Sequence, residues 1–176
     1  MRIYIIGMPG TGKTHFGRLM AKSLHLQFFD MDEQIEKREG ALVRQVILEK
    51  GETYFREVEH QVLLKLSTHN NCVISCGGGA PMFYNNIDLM KSSGIVVWIN
   101  TDLHLIAKRI AQNITRRPLF MGLNEEEILN KLHQIFTLRK KNYAKADLVA
   151  EINVVHNNSL TSVIQRVIKI SQRRKK

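Results

Sequence analysis

An α/β fold built on a parallel sheet is what this sequence of 176 residues predicts, and three observations predict it. Short apolar segments of strand length alternate with longer segments of helical periodicity along the chain. A glycine-rich loop separates the first apolar segment from the first helical one, the strand–loop–helix order that opens many parallel α/β units. Residues 95–99, IVVWI, form a continuous apolar run, the kind that a parallel sheet buries on both faces.

Taken in order, residues 2–6 (RIYII) read as a buried strand running into the glycine loop. Residues 13–24 put Phe16, Leu19, Met20 and Leu24 on one side of a helix. Residues 26–29 make a second short strand ending at Asp30, and helical segments follow at 33–39, 42–50 and 53–67. Residues 72–75 are the third strand, stopped by Gly77, Gly78 and Gly79. Residues 95–99 are the fourth, after which Thr101 is placed to cap a helix reaching residue 113. Residues 116–122 read as a loop. Asn124, with Glu127 three residues on, is an N-cap for a helix reaching Ala146. Residues 148–154 are the fifth strand, and 159–172 the closing helix. Crossovers between parallel strands are right-handed.

Composition narrows the class. Hydrophobic residues at 44% and charged residues at 24% are ordinary for a globular protein. The length fits one domain, or one core with a mobile flap. No apolar run approaches the roughly 18 residues needed to span a membrane. The opening apolar stretch reaches Gly7 too soon for a signal peptide, so a cytoplasmic protein is expected. Cys72 and Cys76 are too few and too close for a disulfide framework, and no second pair gives them zinc spacing. Two reduced thiols near the core are expected. The net charge of +10 suits an anion-binding enzyme or a nucleic-acid binder. Part of that charge lies in the tail, residues 172–176, which reads as a solvated end. No basic stripe interleaved with aromatics occurs elsewhere, so neither nucleic acid nor membrane is the expected partner.

The glycine loop carries the first chemistry. Gly7-Met8-Pro9-Gly10-Thr11-Gly12-Lys13-Thr14 satisfies G-x-x-x-x-G-K-[ST] at every fixed position. Glycines let backbone N–H groups turn inward to cradle phosphate oxygens. Lys13 can reach the β- and γ-phosphates, and the Thr14 hydroxyl can ligate Mg²⁺. Gly10, Thr11, Gly12, Lys13, Thr14 and His15 are the candidate contacts to ATP. A Gly-rich helix-capping turn would give no reason for adjacent lysine and threonine.

A second polar set follows. Asp30 and Asp32 stand after the second strand, at the carboxyl edge where open α/β sheets bind ligands; helix capping by Asp32 explains its position equally well. Arg56 and Glu59 are one helical turn apart, as in a simple surface ion pair. Gly77, Gly78 and Gly79 follow a strand, where backbone can approach a ligand closely or merely turn. Arg116 and Arg117 lie in a loop that can swing over a phosphate or stay solvated. Arg139 and Tyr143 are one turn apart on a long helix.

These pieces occur together in one known order. The sequence resembles the shikimate kinases, of the nucleoside-monophosphate-kinase-like P-loop group, through GMPGTGKT, Asp30-Met31-Asp32, Phe55-Arg56 with Glu59, Gly77-Gly78-Gly79, Arg117-Pro118-Leu119, and Arg139 with Tyr143. The resemblance implies a three-layer α/β/α P-loop kinase fold with a five-stranded parallel sheet in the order 2-3-1-4-5. It implies one domain over 1–176, with a core at 1–31, 68–113 and 147–173, an acceptor-binding helical region at 32–67 and a mobile lid at 114–124. It also implies ATP, Mg²⁺ and shikimate as ligands, and a monomer.

Residue by residue, the resemblance implies that Asp32 holds the shikimate hydroxyls, as general base or as positioner. Arg56 and Arg139 would grip the carboxylate, Glu59 would orient Arg56, and Gly77, Gly78 and Gly79 would line the same pocket. Asp30 and Ser75 would join the Mg²⁺ environment through water. Arg117 would reach the transferring phosphoryl group from the lid, with Lys13 and Asp32 completing the catalytic set. Arg109 and residues 153–157 would flank the adenine. Pro9, Cys76 and the short lid with Phe120 and Met121 depart from the family's usual residues without removing an assigned one. Two alternatives carry other signatures: a related kinase for gluconate or a nucleoside monophosphate, in which Arg56 and Arg139 need not converge, and a non-catalytic nucleotide-binding module.

Overall fold

Five strands form the sheet: β1 (Arg2–Ile6), β2 (Gln27–Asp30), β3 (Cys72–Ser75), β4 (Ile95–Asn100) and β5 (Leu148–Glu151). A computed structural model describes residues 1–114, 118–153 and 157–174 of the chain. All neighbouring strands are parallel, in the order β2-β3-β1-β4-β5, as the resemblance implied. The strands are short, and the three central ones, β3, β1 and β4, are almost wholly buried because each alternates its side chains between two apolar layers. Ile3, Ile5, Val73, Val97 and Ile99 face a layer with Phe16, Met20, Val163 and Val167. These partners belong to α1 (Lys13–Leu24) and α7 (Asn157–Arg173). Tyr4, Ile6, Ile74, Val96 and Trp98 face the opposite layer, built from α2 (Met31–Glu39), α3 (Val43–Leu66), α4 (Asn86–Ser93), α5 (Leu103–Ala111) and α6 (Glu125–Tyr143). Helices on both faces make the three-layer α/β/α arrangement. No helix among the described residues is long and apolar enough to cross a membrane.

Local chemistry explains most boundaries. Asn124 accepts from the Glu127 N–H while the Glu127 carboxylate accepts from the Asn124 N–H, closing a capping box on α6. The helical segments expected at 42–50 and 53–67 are the two arms of α3, which bends at Gly51 (φ 84°, ψ 164°). That backbone region is strained for any residue with a β-carbon.

Four features differ from the sequence reading. Thr101 does not cap α5: its hydroxyl donates to the Ile152 carbonyl at 2.6 Å, and Asp102 accepts from the N–H groups of His104 and Leu105 instead. Asp30, rather than Asp32, caps α2, accepting from the Asp32 N–H at 3.0 Å. β5 stops at Glu151 and α6 at Tyr143, both short of expectation. Helix α4, together with a 3-10 turn at Ala80–Met82, fills a stretch the sequence reading left without an element.

Candidate active site

The glycine loop lies between β1 and α1, at the carboxyl edge of the sheet. The Lys13 ammonium donates to the carbonyls of Gly7 at 3.0 Å and Met8 at 2.9 Å. It therefore lies over the loop that would hold the phosphates. Thr11 is buried and its hydroxyl donates to Met8 O at 2.9 Å, bracing the loop from inside. Thr14 and His15 are exposed on the first turn of α1. The Thr14 hydroxyl donates to Asp30 Oδ2 at 2.7 Å. Asp30 stands beside Ser75 in the β2–β3 register, and both are buried. Asp30 and Ser75 at the strand ends, with Thr14 on the first turn of α1, thus present oxygen donors, the donor type Mg²⁺ selects.

The three glycines after β3 are the meeting point of the second polar set. A β-carbon built on Gly77 would lie 2.6 Å from Glu59 Oε1 and 3.4 Å from Asp32 Oδ1. One on Gly78 would lie 3.2 Å from Arg139 Nη1, and 3.3 Å from both Gly7 O and Pro9 Cδ of the phosphate loop. One on Gly79 would lie 2.8 Å from both Arg56 Nη atoms. Any side chain on Gly79 would collide with the guanidinium, so its place is set by close approach. The structure therefore brings Arg56, Arg139, Glu59 and Asp32 to successive residues of one loop, against the phosphate loop. Arg56 and Arg139 come from α3 and α6, 83 positions apart in the sequence.

Arg56 is held on every side. It pairs with Glu59 at 2.7 Å and Glu52 at 3.0 Å, and its guanidinium lies over the rings of Phe83 at 4.4 Å and Phe55 at 4.8 Å. Glu59 is 1% exposed. Burial raises its carboxyl above the ordinary value, the Arg56 charge offsets part of that, and the Asp32 charge adds to it. Cys72 and Cys76 are both free and buried. Burial pushes the Cys76 thiol well above its ordinary range, which keeps it protonated and unreactive.

Arg109 donates to the Asn153 carbonyl at 2.6 Å, so these two residues expected beside the adenine do adjoin. Residues 154–156 lie outside the described residues, as do Arg116 and Arg117, so the lid arginine has no described position. Beyond it, Phe120 is buried and Lys131 donates to Leu119 O at 2.7 Å, which pins the far limb of that loop to α6.

Several residues here escaped the sequence reading. Asn86 is fully buried and donates from Nδ2 to the Ala80 carbonyl at 2.8 Å. Its Oδ1 faces His60 Nδ1 at 2.6 Å. Because that amide oxygen can only accept, His60 must carry its proton on Nδ1. Phe83 and Glu52 were missed too. The i,i+4 spacing of Glu52 and Arg56 could have found Glu52; Phe83 has no such signal, and only folding brings it to the site.

A model of the shikimate kinase family matches residues 9–171. Among curated relatives, a shikimate kinase of Aquifex aeolicus is 38% identical over 148 residues, 84% of each chain. One from Bacteroides thetaiotaomicron is 32% identical over 168 residues, 95% of this chain and 96% of its own. Among solved structures, the Bacteroides thetaiotaomicron shikimate kinase superposes with a TM-score of 0.89 at 31% identity, covering 98% of both chains. A shikimate kinase from Acinetobacter baumannii, solved in complex with shikimate, gives 0.85 at 30% identity, covering 99% of this chain and 94% of its own.

Proposed function

The chain belongs to the shikimate kinase family, and we infer that it transfers the γ-phosphoryl group of ATP to shikimate, giving shikimate 3-phosphate and ADP. The observation that carries this reading is the convergence of Arg56 and Arg139 on Gly78 and Gly79, beside the phosphate loop. An acid acceptor needs a cationic clamp for its carboxylate and a carboxylate for its hydroxyls. Arginine forks match a carboxylate with paired hydrogen bonds, which a lysine cannot copy. Asp32, on the Gly77 side of the same loop, is the group for the hydroxyls.

The roles follow from charge and position. Backbone N–H groups of Gly10 to Thr14 and the Lys13 ammonium hold the phosphates. Lys13 exchanges its carbonyl partners for phosphate oxygens. It then stabilises charge as it shifts toward the leaving oxygen, the main task in phosphoryl transfer. Glu59 orients Arg56, and Arg139 completes the clamp. Asp32 positions the attacking hydroxyl and is the nearest carboxylate to receive its proton. Arg117 reaches the phosphoryl group from the lid, and Arg109 and His15 flank the nucleotide. Thr14 and Asp30, with Ser75, would hold Mg²⁺ and its waters; when bound, the ion would supply positive charge that neutralises the phosphates. All these residues belong to one chain, which supports action as a monomer. An ATP donor and two reduced thiols support a cytoplasmic location.

Coupled ADP release, measured with shikimate, gluconate and nucleoside monophosphates in turn, tests the reading. Shikimate is expected to support turnover far above the others. Preference for gluconate or a nucleotide would overturn the acceptor assignment, and ATP binding without turnover on any of them would overturn the kinase.

A further inference from the structure

Tyr143 is fully buried, and nothing in the reaction as described uses it. Its hydroxyl donates to the Gly78 carbonyl at 2.6 Å and lies 4.0 Å from the Met8 sulfur of the phosphate loop. Its ring packs against Trp98 on β4, with centroids 5.7 Å apart. Arg139, one turn earlier on α6, lies beside the same hydroxyl: burial lifts the Tyr143 pKa to about 12, and the Arg139 charge offsets part of that rise. The neighbouring Asn142 donates to Pro81 O at 3.1 Å. The end of α6 is thus fastened twice to the loop of residues 78–81.

Gly78 is the shared point. Its β-carbon position is 3.2 Å from Arg139 Nη1 and 3.3 Å from Gly7 O. A hydroxyl anchored on its carbonyl sets the rotation of α6 over the loop, and that rotation decides where the Arg139 guanidinium stands. A buried hydrogen bond suits this task, because leaving the carbonyl unpaired costs more than the bond returns on average.

We propose that Tyr143 is a positioning residue for the acceptor: its hydroxyl bond to the Gly78 carbonyl holds Arg139 in place to take the substrate carboxylate and ties that clamp to the phosphate loop. This rests on the acceptor-site reading above. With the hydroxyl protonated through the working pH range, the bond persists wherever the enzyme is active.

The test is Tyr143→Phe, which removes one oxygen and keeps the ring. The shikimate KM is expected to rise about tenfold while the ATP KM stays within about twofold. In an Arg139→Ala background the same change is expected to add less than about twofold, since the group it acts through is gone. An unchanged shikimate KM, an equal rise in both KM values, or full additivity with Arg139→Ala overturns the proposal and leaves Tyr143 a packing residue. A second measurement needs no variant. A slowly exchanging Tyr143 hydroxyl proton is expected in the NMR spectrum of the unaltered protein, retained when shikimate binds, and its absence also overturns the proposal. Failure of the kinase reading is separate and visible first, as no shikimate-dependent ADP release from the unaltered enzyme.

Discussion

At the scale of single residues, the site is a set of charges whose partners decide what they can do. Arg139→Ala would remove half of the proposed carboxylate clamp while leaving the phosphate loop intact. Truncating one partner of a desolvated charge pair costs about 2–5 kcal/mol, so shikimate binding is expected to weaken accordingly with ATP binding preserved. Calorimetric titration with shikimate checks this, and an unchanged dissociation constant would remove Arg139 from the clamp. Glu59 gives a prediction of different kind. Its carboxyl is lifted above 4.5 by burial, so the folded protein binds that proton more tightly than the unfolded chain. By proton linkage, its contribution to stability is complete below pH 4.5 and is lost as pH rises through the folded value. Glu59→Gln fixes the neutral form. The stability of the unaltered protein relative to this variant should therefore decline as pH rises above 4.5, as read by urea unfolding. An advantage that grew with pH would mean that Arg56 outweighs burial and depresses the Glu59 pKa.

At the scale of elements, each functional group is delivered by a helix start, a strand end or a bend. α3 illustrates the bend: its first arm carries Val46 inward, and its second carries Arg56 and Glu59 to the three glycines after β3. Gly51 makes the change of direction with a backbone geometry that costs other residues about 1–3 kcal/mol. A β-carbon there would meet no atom within 4 Å, so the cost of Gly51→Ala is conformational and not steric. A loss of stability in that range is expected by urea unfolding, and a neutral result would show that the two arms do not require the bend. The sequence announced this element well, since Gly51 interrupts two helical patterns. It did not announce α4. That helix has eight residues, buries only Asn86, Ile87 and Met90, and starts from Asn85 in the left-handed region at φ 56°. Such a short segment offers two turns of periodicity, and its determining contact, Asn86 to the Ala80 carbonyl, is tertiary. Thr101 misled for a related reason. A threonine before a helix is a plausible cap, but burial beside Ile152 gave its hydroxyl a better acceptor, and the exposed Asp102 took the capping role.

At the scale of the whole molecule, what was legible in the sequence is what local chemistry writes there. The phosphate loop and its flanking strand and helix are contiguous, and their residues are dictated by the ligand. The proposed acceptor half is scattered over α2, α3, the three glycines after β3 and α6, so single residues such as Arg56 read as surface decoration until their order suggested a family. The net charge of +10 is legible at both levels and acts on no single contact. Both substrates of the proposed reaction are anions, so the summed field should draw them in, an effect on encounter and not on chemistry. Raising ionic strength from about 10 mM to 200 mM shortens the screening length from about 30 Å to under 10 Å. The expected result is a fall in kcat/KM for shikimate with added potassium chloride, with kcat nearly constant and the fall absent when a neutral osmolyte replaces the salt. A parallel fall in kcat would instead place the salt effect on Lys13 and the other site charges, in the transfer step itself. Flat kcat/KM would mean that the acidic groups around the pocket, Glu52, Glu59, Asp30 and Asp32, cancel the field where the acceptor enters, and that the excess positive charge serves some surface other than this one.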